Sequence, residues 1–135
     1  MSDVEIIQPD GWAAPKGYSN GISAQGRQVF IAGQVGWNGQ CQFETDDFVG
    51  QVEQALKNIV EVVNAAGGKP EHLVRINWYI TDKAEYVANL RNIGEAYRRV
   101  IGRHFPAMTL LVVAGLLEPR AKVEIEANAV IPSTS

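Results

Sequence analysis

Ala107-Met108-Thr109-Leu110-Leu111-Val112-Val113-Ala114 and Ala121-Lys122-Val123-Glu124-Ile125-Glu126-Ala127-Asn128-Ala129-Val130-Ile131 are two strand-like runs with opposite patterns. The second alternates cleanly, with Val123, Ile125, Ala127, Ala129 and Ile131 set against Lys122, Glu124, Glu126 and Asn128, as in a strand with one buried face. The first is apolar on both alternating faces, which suits a central strand covered by helices on one side and by something else on the other. One layer of helices buries only one face of a sheet. The second apolar face therefore calls for another copy of the chain, and a homo-oligomer is expected.

The elements before this pair complete the architecture. His72 to Thr81 alternates, with Val74, Ile76, Trp78 and Ile80 on one face and Arg75, Asn77 and Tyr79 on the other. From Asp47 to Ala66, apolar residues recur at helical spacing, Thr45 or Asp46 is available as N-cap, Gly67-Gly68 stops the run, and Glu53 with Lys57 forms a supporting pair. A second helix starts at Asp82 with Glu85 in a capping-box arrangement and carries Tyr86, Leu90, Ile93, Tyr97 and Val100 towards Gly102. Tyr18 to Ser23 and Arg27 to Ala32 read as a hairpin about Ala24-Gln25-Gly26, with Gly33, Gly36 and Gly39 as a following loop. Residues 1–17 read as an irregular lead-in because Pro9, Gly11, Pro15 and Gly17 interrupt them. The fold class is α+β: a mixed sheet with two helices on one face, in a single domain spanning residues 1–135.

With 135 residues, 46% hydrophobic and 20% charged, the chain suits one domain, burying roughly 65–70% of its unfolded surface. A formal net charge of −3 and scattered Lys and Arg give no footprint for phosphate backbones or anionic membranes, so neither nucleic acid nor membrane is expected as a partner. The N-terminus lacks a basic region followed by an apolar one, and one cysteine, Cys41, cannot form an internal disulfide; a soluble, cytoplasmic protein is expected. No dinucleotide fingerprint, phosphate loop or Gly-x-Ser-x-Gly elbow is present, and His72, His104 and Cys41 lack ligand spacing. No cofactor and no metal are expected.

Five further segments stand in a fixed order: Gly17-Tyr18-Ser19-Asn20-Gly21, Phe30-Ile31-Ala32-Gly33-Gln34, Ala65-Ala66-Gly67-Gly68, Phe105-Pro106-Ala107 and Lys122-Val123-Glu124-Ile125-Glu126-Ala127. Their order and register resemble the RidA/YjgF family, whose members are also described as L-PSP endoribonucleases or translation inhibitors, and the likeness runs from about Ala14 to Ile131. The resemblance implies a chorismate-mutase-like fold: a homotrimer with its sheets in a central barrel, helices outside and small-molecule clefts between subunits. It also implies hydrolysis of reactive enamines and imines such as 2-aminoacrylate.

Such a site must anchor the substrate carboxylate, exclude bulk solvent and orient one water. The family's anchor is the arginine that follows Phe-Pro-Ala; here that residue is Met108. A methionine cannot supply the paired charge-assisted bonds of a guanidinium. The family's frequent serine before Gly-Gln is Ala32 here, followed by Gly33. Tyr18 matches the family's cleft tyrosine and Glu124 the carboxylate thought to position the water; these two are the candidate catalytic residues. Met108, Leu110, Ala32 and Gly33 are the candidate substrate contacts, with Met108 and Leu110 as an adaptable apolar wall. Arg75 is a candidate replacement anchor. Each has a plainer reading: Tyr18 as interface packing, Glu124 and Arg75 as solvated strand residues, Met108 as a gap-filler. Asn89 and Asn92 lie near the place where the family uses an asparagine.

The function expected is a divergent RidA-like hydrolase acting on imines, enamines or related small metabolites in inter-subunit clefts, not on 2-aminoacrylate. The alternative is a non-catalytic small-molecule-binding trimer, for which a preformed apolar pocket suffices. An endoribonuclease stands last, since the chain is acidic and lacks a suitable histidine pair.

Overall fold

The computed structural model describes residues 4–133. Its main sheet holds β3 (Arg27–Val35), β6 (Val123–Ile131), β4 (Leu73–Ile80) and β5 (Ala107–Val112) in that spatial order. β3 and β4 both run antiparallel to the central β6, while β5 lies parallel to β4 at the edge. Three helices, α1 (Phe48–Ala65), α2 (Lys83–Ala88) and α3 (Leu90–Val100), accompany this mixed sheet. The α+β class expected from the patterning is the one observed.

α1 forms because its apolar residues fall on one stripe, and that stripe is buried: Phe48, Val52, Ala55, Leu56, Ile59 and Val63 meet Ile76, Ile80, Val123 and Ile125 from the sheet. Fully burying one such side chain is worth about 1.5–3 kcal/mol. The helix is capped by Asp47, whose Oδ2 accepts the Gly50 N–H at 2.8 Å, rather than by Thr45 or Asp46. Thr45 instead accepts the Asp47 N–H at 3.0 Å, and Asp46 pairs with Arg120 at 2.9 Å. Glu53 and Lys57 stand 3.6 Å apart, as their spacing suggested, and Arg99 of α3 joins Glu53 at 2.7 Å. The Arg99 guanidinium holds the Glu53 carboxyl below its ordinary range.

Gln51, fully buried, positions the strand that carries the candidate carboxylate. Its Oε1 accepts the Lys122 N–H at 2.8 Å, and its Nε2 donates to the Arg120 and Thr45 carbonyls at 3.0 and 3.2 Å. One amide thus satisfies three backbone groups and fixes where β6 begins.

Five local expectations are corrected. The supposed hairpin partner of Arg27–Ala32 belongs elsewhere: β2 (Gly21–Ala24) pairs antiparallel with β1 (Val4–Ile7) in a separate two-stranded sheet. The irregular lead-in of residues 1–17 therefore contains a strand, with Ile7 seated over Gly21; residues 1–3 lie outside the described set. Proximity in sequence favoured the nearer partner, but cross-strand side-chain pairing selected the distant one. The Gly33–Gly39 loop begins later than expected, since β3 continues to Val35. The second helix is two: Asn89 leaves helical geometry at φ −120°, with its Nδ2 bonded back to the Glu85 carbonyl at 2.8 Å. That side-chain bond competes with the helix ladder. In β4, a register shift between Leu73 and Arg75 brings Leu73 into the core and leaves Val74 only half-buried.

The face of the sheet away from the helices is open. It carries Arg75, Asn77, Tyr79, Glu124 and Glu126 at its centre, with Leu111 of β5 50% exposed and Phe30 of β3 74% exposed towards the edges. The apolar second face read in Ala107–Ala114 is thus present but confined to the flanks of a polar centre. No described helix is long and apolar enough to cross a membrane.

Candidate functional site

The first part of the site sits where β3 bends against β6. Ile31 pairs with Ala127 and Gln34 with Ile125, leaving Ala32 and Gly33 together opposite the single residue Glu126. This is a two-against-one β-bulge, a device that re-aims neighbouring groups. The Glu124 carboxylate fills the space over Gly33: a Cβ built there would lie 2.0 Å from Glu124 Oε2. Glycine at residue 33 is therefore the condition for Glu124 to stand where it does.

Glu124 and Glu126 share a face and differ in engagement. Glu126 accepts a short hydrogen bond from the Tyr79 hydroxyl and a long one, 3.5 Å, from Asn77 Nδ2. That bond, followed by desolvation and the Glu126 charge, raises the Tyr79 phenol above its ordinary pKa. Glu124 accepts no hydrogen bond and forms no ion pair among the described residues, although it is half-buried. It is a carboxylate with free lone pairs beside a bare stretch of backbone.

The second part lies at the β5 edge. Residues 17–20 run alongside that strand: Ser19 forms a parallel bridge to Ala107, its N–H donates to the Pro106 carbonyl at 3.1 Å and its hydroxyl to the Phe105 carbonyl. Tyr18, 39% exposed, is thereby set beside Arg75, Met108 and Thr109 around a hollow of about 200 Å³. Arg75 is exposed and donates from Nε to Asn77 Oδ1 at 3.3 Å.

Met108 also lines a larger hollow of about 380 Å³ on the helix side of the sheet. Its walls include Trp78, Tyr86, Leu90, Ile93 and Phe105, and Lys16, Gly94 and Arg98 line it as well. Burial raises the Tyr86 phenol.

The structure thus gathers the candidates into two groups. Tyr18, Arg75 and Met108 come together, as do Ala32, Gly33 and Glu124. Within one chain Met108 and Glu124 do not meet: Met108 is in register with Ile76 on the helix-covered face, whereas Glu124 is in register with Tyr79 on the open one, which it shares with Arg75. Leu110 is in register with Trp78, packs against the core and lines neither hollow. Asn92 is exposed. Cys41 is exposed too, at a positive φ of 60°. No group of three His, Cys, Asp or Glu placed to hold a metal occurs among the described residues.

Sequence reading missed Lys16, Trp78 and Arg98. One signal was available: Gly94 lies inside a helix, where glycine costs about 1 kcal/mol relative to alanine and usually marks space left for something else.

Comparison with known proteins bears on the family and the fold. The family model described as endoribonuclease L-PSP matches residues 10–131. A 2-iminobutanoate/2-iminopropanoate deaminase of Dermatophagoides farinae is 31% identical, over 97% of this chain and 99% of its own. A RutC family protein of Aquifex aeolicus is 34% identical, over 93% of this chain and 98% of its own. Among solved structures, a Rid family protein from Yersinia pestis superposes with a TM-score of 0.85 at 30% identity, covering 96% of this chain and 99% of that one. With the fold, the glycine bulge and the Phe-Pro-Ala edge strand all in place, the chain belongs to the RidA/YjgF family of reactive intermediate deaminases, the endoribonuclease L-PSP family.

Proposed function

We propose that this protein is a divergent deaminase that hydrolyses reactive imines, enamines or related small metabolites in clefts formed between subunits, and that 2-aminoacrylate is not its substrate. The observation that carries this reading is the unengaged Glu124 carboxylate over Gly33. A half-buried carboxylate with free lone pairs can accept a proton from a water and aim its oxygen at an electrophilic carbon. Water adds to the C=N carbon, the nitrogen takes up a proton, and the resulting carbinolamine collapses to a carbonyl and ammonia. No electrons change hands and no co-reactant is required.

The chain's own geometry supports a site shared between copies. Glu124 faces the open side of the sheet, Tyr18 and Met108 sit at its edge, and exposed Phe30 and Leu111 flank the polar centre. A homotrimer that closes the open faces on one another would bring the edge of one subunit to the bulge of the next and exclude solvent from both. The relatives named as 2-iminobutanoate/2-iminopropanoate deaminases support the reaction class. Met108 argues against the smallest imino acids, because the usual guanidinium anchor is missing.

The reading is tested by ammonia release from freshly generated 2-iminopropanoate and from uncharged imines, with the wild type and Glu124→Ala side by side. Turnover of at least one imine that depends on Glu124 is expected; equal rates in the two proteins would sink the proposal. A non-catalytic binding role is the second reading, favoured by the apolar hollow behind Met108. Saturable binding without Glu124-dependent turnover would establish it instead.

A further inference from the structure

The hollow between α2, α3 and the β4–β5 edge has a chemistry of its own. At about 380 Å³ it falls within the range of small-molecule pockets, and apolar and aromatic side chains share its walls with polar groups. Two cationic side chains break that apolarity, and a buried indole N–H lies within one of the walls. Lys16 and Arg98 are exposed lining residues, and neither forms a hydrogen bond or ion pair with any described residue. Arg98 folds back along α3, its Nη1 3.4 Å from where a Cβ on Gly94 would stand. Trp78, 3% exposed, is a wall residue whose indole Nε1–H is buried with no acceptor. No acidic side chain lines the hollow among the described residues.

A buried donor without a partner costs about 1–3 kcal/mol and is uncommon in folded proteins. Three other arginines find acids, Arg99 with Glu53, Arg120 with Asp46 and Arg91 with Glu95, while Arg27, Arg75 and Arg103 make no ion pair among the described residues. Lys16 and Arg98 stand unpaired beside an apolar cavity. The matching ligand has an apolar body and a carboxylate: the body against Tyr86, Leu90, Ile93 and Phe105, the carboxylate towards the two cations.

We propose that this hollow binds apolar carboxylates of the arylalkyl or branched-alkyl class, with Lys16 and Arg98 as the carboxylate anchor that Met108 no longer provides. The inference deepens the proposed function by naming the class of molecule accepted at the β5 edge, and only its connection to turnover rests on that reading. Met108 then has a positive role: it lines the apolar part of the cavity, where a guanidinium would have to be desolvated.

The test is calorimetric titration of the full-length protein with 3-phenylpropanoate, its neutral amide and acetate. 3-Phenylpropanoate should bind at least tenfold more tightly than either control, and Arg98→Ala and Lys16→Ala should each weaken it several-fold. Gly94→Leu, which fills the cavity from a helical position without a positive φ, should abolish binding. In a 15N–1H correlation spectrum the Trp78 indole resonance, assigned through Trp78→Phe, should shift on saturation while those of Trp12 and Trp37 stay fixed. Glu124→Ala should still bind 3-phenylpropanoate in preference to its amide, so loss of turnover in that variant leaves this result intact. Absence of binding, equal affinity for acid and amide, or unchanged affinity in both Arg98→Ala and Gly94→Leu would overturn the proposal.

Discussion

The bulge of β3 against β6 and the edge of β5 are built on different principles. At the bulge, backbone geometry does the work: Ala32 and Gly33 crowd opposite Glu126, and the missing Cβ of Gly33 admits the Glu124 carboxylate. At the edge, side chains do it: Met108 of β5, Arg75 of β4 and Tyr18 of the short segment that bridges to the free side of β5 through Ser19 meet around one hollow. A bulge tolerates little change, because any side chain at residue 33 collides with Glu124. An edge tolerates much, since its residues face open hollows. On the proposed function, the half that would orient water is therefore constrained by the fold, while the half that would recognise substrate, Met108 included, is free to change.

Six substitutions bear on that contrast. The largest effect is expected from the two glutamates: Glu124→Ala should lower the rate of ammonia release roughly 100-fold or more, as loss of a general base does, whereas Glu126→Ala, already committed to Tyr79, should change it by about threefold at most. Comparable losses in both would mean that the open face acts as one charged surface. Next, Met108→Arg should raise kcat/KM for 2-iminopropanoate roughly 10- to 150-fold, the equivalent of about 1.5–3 kcal/mol from a charge-assisted hydrogen bond. A folded variant with no gain would remove Met108 as the cause of the altered specificity.

Glycine substitutions separate the site from the scaffold. A Cβ at Gly36 would lie 2.6 Å from the Gln51 Cβ and 2.7 Å from its Cα, so Gly36→Ala should cost about 1–3 kcal/mol in urea unfolding. At Gly33 the obstacle is the movable end of a side chain, so Gly33→Ala should cost less stability yet lose turnover as Glu124→Ala does. The smallest effect concerns alkaline stability. The Tyr79 phenol is raised by its bond to Glu126, so its contribution is complete below the unfolded value near pH 10 and is lost as pH rises through the folded one. Tyr79→Phe should flatten the decline of thermal midpoint above about pH 10; an unchanged profile would show that the bond contributes nothing.

The regular parts of this fold were legible because periodicity reports burial. α1 and β6 were readable from spacing alone, and Glu124 was placed on the correct face by alternation. What alternation could not report was distance between faces. Met108 and Glu124 read as neighbours across one cleft, yet strand register sets them on opposite sides of the sheet. The β1–β2 pairing was hidden because it depends on a partner well away in sequence, and the break at Asn89 because it turns on one side-chain bond. Lys16 and Arg98 looked like ordinary surface charge. Only the absence of partners, a three-dimensional fact, distinguishes them from Arg99 and Arg120. Gln51 gave no signal at all, since a glutamine on a helix is ordinarily solvated.

The central claim, that the bulge of one subunit completes the edge of another, is tested most directly by complementation. Tyr18→Ala and Glu124→Ala proteins, each impaired alone, are unfolded together in equal amounts and refolded as mixed assemblies, and ammonia release is compared with wild type treated identically. If each site draws Tyr18 from one chain and Glu124 from its neighbour, random mixing leaves about a quarter of the sites intact, and about a quarter of the wild-type rate should return. Mixed oligomers of correct mass with no more activity than either parent would contradict the shared site.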